Sequence, residues 1–154
     1  MPTPLTVPED TWRYDIDRKR SLQDLIDSAQ KSGCLINPLI IEHQNSFMTR
    51  MRFGDHAKFA LFNPHRKIFS EQMLSVLGGH TVFQVPILWD GLAFAELHPD
   101  LQRSFVIPIL GAVLVLDDKE FVVYLGGNEK FRLIELMEEK EGIPWNDGAR
   151  FLGS

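Results

Sequence analysis

The stretch from Phe105 to Leu125 constrains this chain more than any other: FVIPILGAVLVL, then DDKE, then FVVYL. Its Val, Ile, Leu and aromatic content favours β-structure, and Asp117-Asp118-Lys119 supplies turn chemistry between the two apolar runs. The pattern predicts two adjacent strands, central in a sheet and buried on both faces. A chain of 154 residues around such a pair can bury one core, covering roughly 70% of its unfolded surface. One α+β domain, residues 13–154, is therefore expected behind an extended arm at residues 1–12. Prolines at 2, 4 and 8 disfavour regular structure in that arm, and Trp12 and Tyr14 would pin it to the body.

Further along, Ser21 and Asp24 mark a helix start. Leu22, Leu25, Ile26 and Ala29 form one apolar stripe, and Gly33 is placed to end the helix in a left-handed cap. Leu35 to His43 reads as an edge strand with Pro38 near its start, or as a strand that begins after Pro38. Phe47 to Phe53 alternates apolar with polar residues, placing Arg50 and Arg52 on one face. Lys58 to Phe62 completes a three-stranded meander. Lys67 to Leu77 fits a second helix closed by Gly78-Gly79. Residues Thr81 to Trp89 look strand-like and lead to an Asp90-Gly91 turn. Residues 92–104 fit either a short helix capped by Asp90 or an irregular connection. After the apolar pair, Glu129 to Glu141 is rich in helix formers, with Asn128 as cap, Gly142 at the exit and Pro144 beyond. A helix is predicted there, with a third meander strand from Phe131 to Leu136 as its rival. The expected fold is a mainly antiparallel sheet with about three helices packed on one face, in the order α-βββ-α-ββ(ββ)-α.

Composition narrows the function classes. At 44% hydrophobic and 24% charged residues the chain has the make-up of a folded globular protein. Pro108 interrupts the longest apolar run, which falls short of the roughly 20 residues that span a bilayer, so no membrane partner is expected. The opening residues MPTPLTVPED lack a basic start and apolar core, so the reading places the protein in the cytoplasm. Cys34 is the sole cysteine. No intrachain disulfide can form, and a thiol next to a helix-ending glycine reads as packing.

Net charge is −5, distributed unevenly: residues 1–67 carry +2 and residues 68–154 carry −7. Glu135, Glu138, Glu139 and Glu141 form the densest single-sign feature, one acidic face of the predicted helix, with Trp145 or Phe151 as an aromatic anchor beside it. That combination suits a basic protein partner. Five histidines, at 43, 56, 65, 80 and 98, lack the i, i+4 or i, i+2 spacings of a ligand pair, and no cofactor is expected. Asp55, His56 and His65 could still converge, around a metal or as acid and base, if the strand after Gly54 folds back. Arg50 and Arg52, with Lys58, Arg66 and Lys67, could line a strip for single-stranded nucleic acid. The interleaved Phe47, Phe53, Phe59 and Phe62 are out of phase with it and should point into the core.

Neither a glycine-elbow serine nor a phosphate loop is present. The preferred reading is a non-enzymatic cytosolic protein-binding module using the acidic and aromatic C-terminal third, with a homodimer left open. A small enzyme around Asp55, His56 and His65, or a nucleic-acid binder through Arg50 and Arg52, are the alternatives. In element order and acidity the chain is similar to class I type III secretion chaperones. A bacterial immunity protein, which neutralises a toxin by binding it, or an adaptor has a compatible composition.

Overall fold

The computed structural model describes residues 14–17, 20–47, 56–78, 85–140 and 142–153. Its elements in chain order are β1 (Tyr14–Asp17), α1 (Leu22–Lys31), β2 (Cys34–Ile36), α2 (Pro38–Glu42), a 3-10 turn (Gln44–Ser46), β3 (His56–Phe62), α3 (Ser70–Gly78), α4 (Leu88–Leu97), α5 (Leu101–Ser104), β4 (Ile107–Leu116), β5 (Lys119–Gly127), β6 (Arg132–Glu138) and β7 (Phe151–Gly153). Two sheets form, ordered β2-β6-β5-β4 and β1-β3-β7. Only the β2–β6 pair among them is parallel. The fold is thus α+β and mainly antiparallel.

The apolar pair is the hairpin β4–β5. Asp117 and Asp118 make its two-residue turn at φ 50° and 63°, the backbone signature of a type I′ turn, whose twist matches the flanking strands. The position of the pair differs from expectation. Strand β5 is interior, but β4 lies at the end of the four-stranded sheet. Its outer side is covered in part by other backbone: Gly111 N–H donates to Pro86 O at 2.8 Å and Arg150 N–H to Val106 O at 2.9 Å.

Register along the hairpin slips between Ile109 and Val113, whose partners are the adjacent residues Val123 and Val122. Three residues of β4 therefore have no counterpart on β5. Side chains alternate with period two, so an odd excess exchanges the faces. Before the slip Ile107 and Ile109 enter the larger core, and after it Ala112 and Leu114 do. Leu110 and Val113 turn to a second core with Ile68, Met73, Val122, Trp145 and Phe151. The sheet is thereby sandwiched. Helices α1, α4 and α5 cover its first face, while α3 and the chain around Trp145 cover part of the second, which corrects the expectation of helices on one face only.

Helix α1 follows its sequence signals. Ser21 Oγ accepts from Asp24 N–H at 3.1 Å, and Leu22, Leu25, Ile26 and Ala29 are all buried. At its other end Arg132, itself buried, donates from Nη2 to Ser32 O at 2.7 Å and to Ser32 Oγ at 2.8 Å. A cation against the carbonyls of a helix C-terminus is favoured by the helix dipole.

Three further expectations are overturned. Residues 35–43 are no continuous strand: β2 ends at Ile36 and α2 begins at Pro38, because Asn37 Oδ1 accepts from Leu39 N–H at 2.9 Å and proline suits the first helical position. Asp90-Gly91 is no turn but lies inside α4, where the Asp90 carboxylate accepts from Ile87 N–H at 2.8 Å. A Cβ on Gly91 would stand 2.7 Å from Ile109, so glycine lets α4 close on β4.

The predicted C-terminal helix over Glu129 to Glu141 is strand β6, as in the rival reading. Asn128 Oδ1 accepts from Lys130 and Phe131 N–H, but within a tight turn in which Asn128 N–H returns to Phe131 O at 2.9 Å. Helix propensities amount to a few tenths of a kcal/mol per residue. Seven pairs with β5 and three with β2 outweigh them. The element order accordingly departs from the one that suggested secretion chaperones. The arm at 1–12, the strand through Arg50 and Arg52, Asp55, residues 81–84 and Glu141 lie outside the described residues.

Candidate functional site

Conversion of the acidic helix into a strand redistributes its carboxylates. On β6, Arg132, Ile134, Leu136 and Glu138 share the first face, whereas Leu133, Glu135 and Met137 share the second, opposite Gly126, Tyr124 and Val122 of β5. Glu135 sits across from Tyr124 and accepts from Asn37 Nδ2 at 3.3 Å. Burial, with the nearby Glu135 charge, pushes the Tyr124 phenol above its ordinary pKa. Glu138 forms an ion pair with Lys140 at 3.6 Å.

Glu139 lies one step past the last paired residue and donates its N–H to Glu120 O at 2.8 Å. Glu120 and Glu139 thus stand side by side on the second face. Like charges opposed across strands cost of the order of 0.2–1 kcal/mol.

These two glutamates edge a cleft of about 560 Å³ between the second face of the sheet and the start of α3. Leu110, Val113 and Val122 form its floor, and Phe69, Ser70, Glu71 and Leu74 its wall, with Lys140 and Gly142 closing one end. The rim also presents half-exposed Phe69, while Met137, 41% exposed, sits directly across from Val122. Three carboxylates face one ammonium group here, over an apolar base.

Ser70 ties the wall to the sheet. Trp145 Nε1 donates to Ser70 Oγ at 2.8 Å, and Ser70 donates in turn to Glu139 Oε1. An indole N–H can only donate, so the serine proton is directed at the carboxylate. Trp145 is only 7% exposed and packs edge-on against Tyr124, while Phe151 is fully buried. Both are core residues, which corrects their expected role as anchors for a partner. Trp145 contributes instead by holding Ser70.

Of the remaining sequence candidates, Arg50, Arg52 and Asp55 lie outside the described residues, and His65 sits in a turn after β3. Asn63 Oδ1 accepts from His65 N–H at 2.9 Å, and Asn63 Nδ2 lies 2.9 Å from His65 Nδ1, fixing an exposed turn at φ 56°. His56 begins β3 and His65 follows its end. Among the described residues no group of three or more His, Cys, Asp or Glu side chains could hold a metal ion. Phe47 and Phe59 are buried in the larger core.

Cys34 is also buried. Desolvation pushes its thiol above the ordinary value, opposed by the Arg132 charge, a hydrogen bond from Gln102 and the Arg103 charge, which suits packing rather than nucleophilic attack. No helix among the described residues is long and apolar enough to cross a membrane.

Sequence reasoning missed Ser70, Glu71 and Glu120. Glu120 carried a signal, since the residue after a two-residue turn and one more must face the same way as alternate members of its strand. Ser70 carried none: its partner Glu139 is 69 residues away. No family model matches the chain, and neither does any curated protein or solved structure.

Proposed function

We propose that this chain is a non-enzymatic, cytosolic protein-binding module of the immunity-protein, chaperone or adaptor kind, and that it docks a basic segment of a protein partner in the cleft between α3 and the sheet. One observation carries the reading: Glu71, Glu120 and Glu139 surround an apolar floor of Leu110, Val113 and Val122, with Lys140 as the only cation among the described lining residues. A surface that is negative at its rim and apolar at its base complements a segment that is positive at its edge and apolar at its centre. Its size lies within the range of preformed pockets, roughly 300–1,000 Å³.

The lining favours binding over catalysis. Ser70 is the cleft's hydroxyl, yet its proton is committed to Glu139, and no imidazole or thiol is among the described lining residues. Random peptides displayed on phage and selected on the full chain test the reading. Enriched peptides are expected to shift amide resonances of α3, β5 and the end of β6, and to lose binding when Glu120 and Glu139 are both changed to lysine. Absence of any enriched peptide, or shifts confined to α1 and α4, would sink it.

A further inference from the structure

The geometry points to one cationic side chain of the partner, lysine or arginine, seated between Glu120 and Glu139, with a bulky apolar neighbour laid on Val113 and Val122. This deepens the binding reading above and rests on it. Glu120 and Glu139 are adjacent across β5 and β6, joined through their backbones at 2.8 Å, and face the same side. Among the described residues Glu139 receives one side-chain bond, on Oε1 from Ser70, and none on Oε2. Glu120 is exposed, and its neighbour on β4 is Val115, which supplies no charge. Lys140, the one cation among the described lining residues, pairs with Glu138 at 3.6 Å, so a partner's cation placed between Glu120 and Glu139 would relieve both charges at once.

Beside it, the floor of Val113 and Val122 accepts an apolar side chain one residue away on the same segment, and Met137 extends that floor at its margin. The requirement is therefore a pair, cation plus bulky apolar residue, and not charge alone. Ser70 and Trp145 act as positioning residues. The chain from Trp145 Nε1 through Ser70 Oγ to Glu139 Oε1 fixes the carboxylate before the partner arrives, so less side-chain freedom is lost on binding.

Structural and binding roles make opposite forecasts for the same variant. If Glu120 served the fold, Glu120→Gln alone would weaken it; as one of two like charges side by side, with Glu139 left to hold Ser70, it should leave the melting temperature unchanged or slightly raised. The binding test uses a peptide selected on the full chain and a copy in which its lysine is norleucine, or its arginine citrulline. Fluorescence anisotropy on the wild type should show at least a tenfold loss for the neutral copy. On the double glutamine variant, Glu120→Gln with Glu139→Gln, the two peptides should bind alike.

Ser70→Ala should weaken the cationic peptide several-fold while leaving the neutral copy unaffected, a split that mere loosening of α3 would not produce. A peptide that binds in the cleft with the same tenfold preference on the double glutamine variant would overturn this inference while leaving the module reading intact. Failure to select any peptide would overturn both.

Discussion

Gly111 donates its amide proton to the carbonyl oxygen of Pro86 at 2.8 Å, and a Cβ on Gly111 would stand 2.3 Å from that same oxygen. The obstacle is backbone, so nothing flexible can move aside. Gly111→Ala is expected to lower stability by about 2–3 kcal/mol, read as a fall in the urea midpoint at constant slope. Gly148→Ala is the control. Open space surrounds that position, and the change should be neutral or should stabilise by about 0.4–1 kcal/mol through the unfolded chain.

The hairpin turn invites the opposite result. Asp117 and Asp118 both occupy the left-handed region, which asparagine and glycine tolerate better. Replacing the pair by Asn-Gly should stabilise the fold by about 0.5–1 kcal/mol, raising the melting temperature by about 1–4 °C in a chain of this length. An unchanged or lower melting temperature would show that the turn is not held as described.

Arg132 anchors the end of α1 through Ser32. Arg132→Ala removes both bonds and leaves a helix carbonyl without its charged donor, at an expected cost of about 1.5–3 kcal/mol. Ser32→Ala keeps the main-chain bond and should cost about half as much or less. Chemical denaturation compares the two, and faster amide exchange in the last turn of α1 should accompany only the arginine change.

Acid sensitivity should have a contribution at the α1–α4 contact. Hydrogen bonding from Arg20 holds the Glu96 carboxyl below its ordinary pKa, against the opposing effect of desolvation, with help from the Ser28 hydroxyl and the Arg20 charge. A folded pKa below the unfolded value of 4.5 means stability that is present above pH 4.5 and is lost as the pH falls through the lower folded value. Melting temperatures of Glu96→Gln and the wild type should therefore differ at pH 7 and converge as the pH drops below 4.5. A difference that stays constant across that window would remove Glu96 as the cause. The pair is partly exposed, so added salt should shrink the difference.

Much of this architecture was legible where local chemistry and burial agree. The stripe Leu22, Leu25, Ile26 and Ala29 with Ser21 at its head left little room for anything but α1, and Asp117-Asp118 marked the hairpin turn. Legibility failed where long-range pairing overrode local preference. The helix formers of Glu129 to Glu141 became a strand because β5 offered a complete partner, and the contiguous acidic face dissolved with the helix. Glu139 survived as a candidate for a different reason from the one that selected it. Trp145 stands out in the sequence as an aromatic anchor, yet its indole faces inward, and nothing local announces that a serine 75 residues away will accept its hydrogen bond.

The unpaired residues of β4 also govern what lengths the hairpin tolerates. Because an odd number of them exchanges inside for outside, the faces presented by the segment beyond Val113 depend on how many residues this stretch holds. Adding or deleting one residue at Gly111 would turn Ala112 and Leu114 outward and carry Val113 into the wrong core. Paired insertions near Asp117 and Asp118 would lengthen both arms without disturbing either core. The end of the hairpin that carries Glu120 is thus the part of the sheet most open to remodelling, and the strand phase beneath it is the part least open.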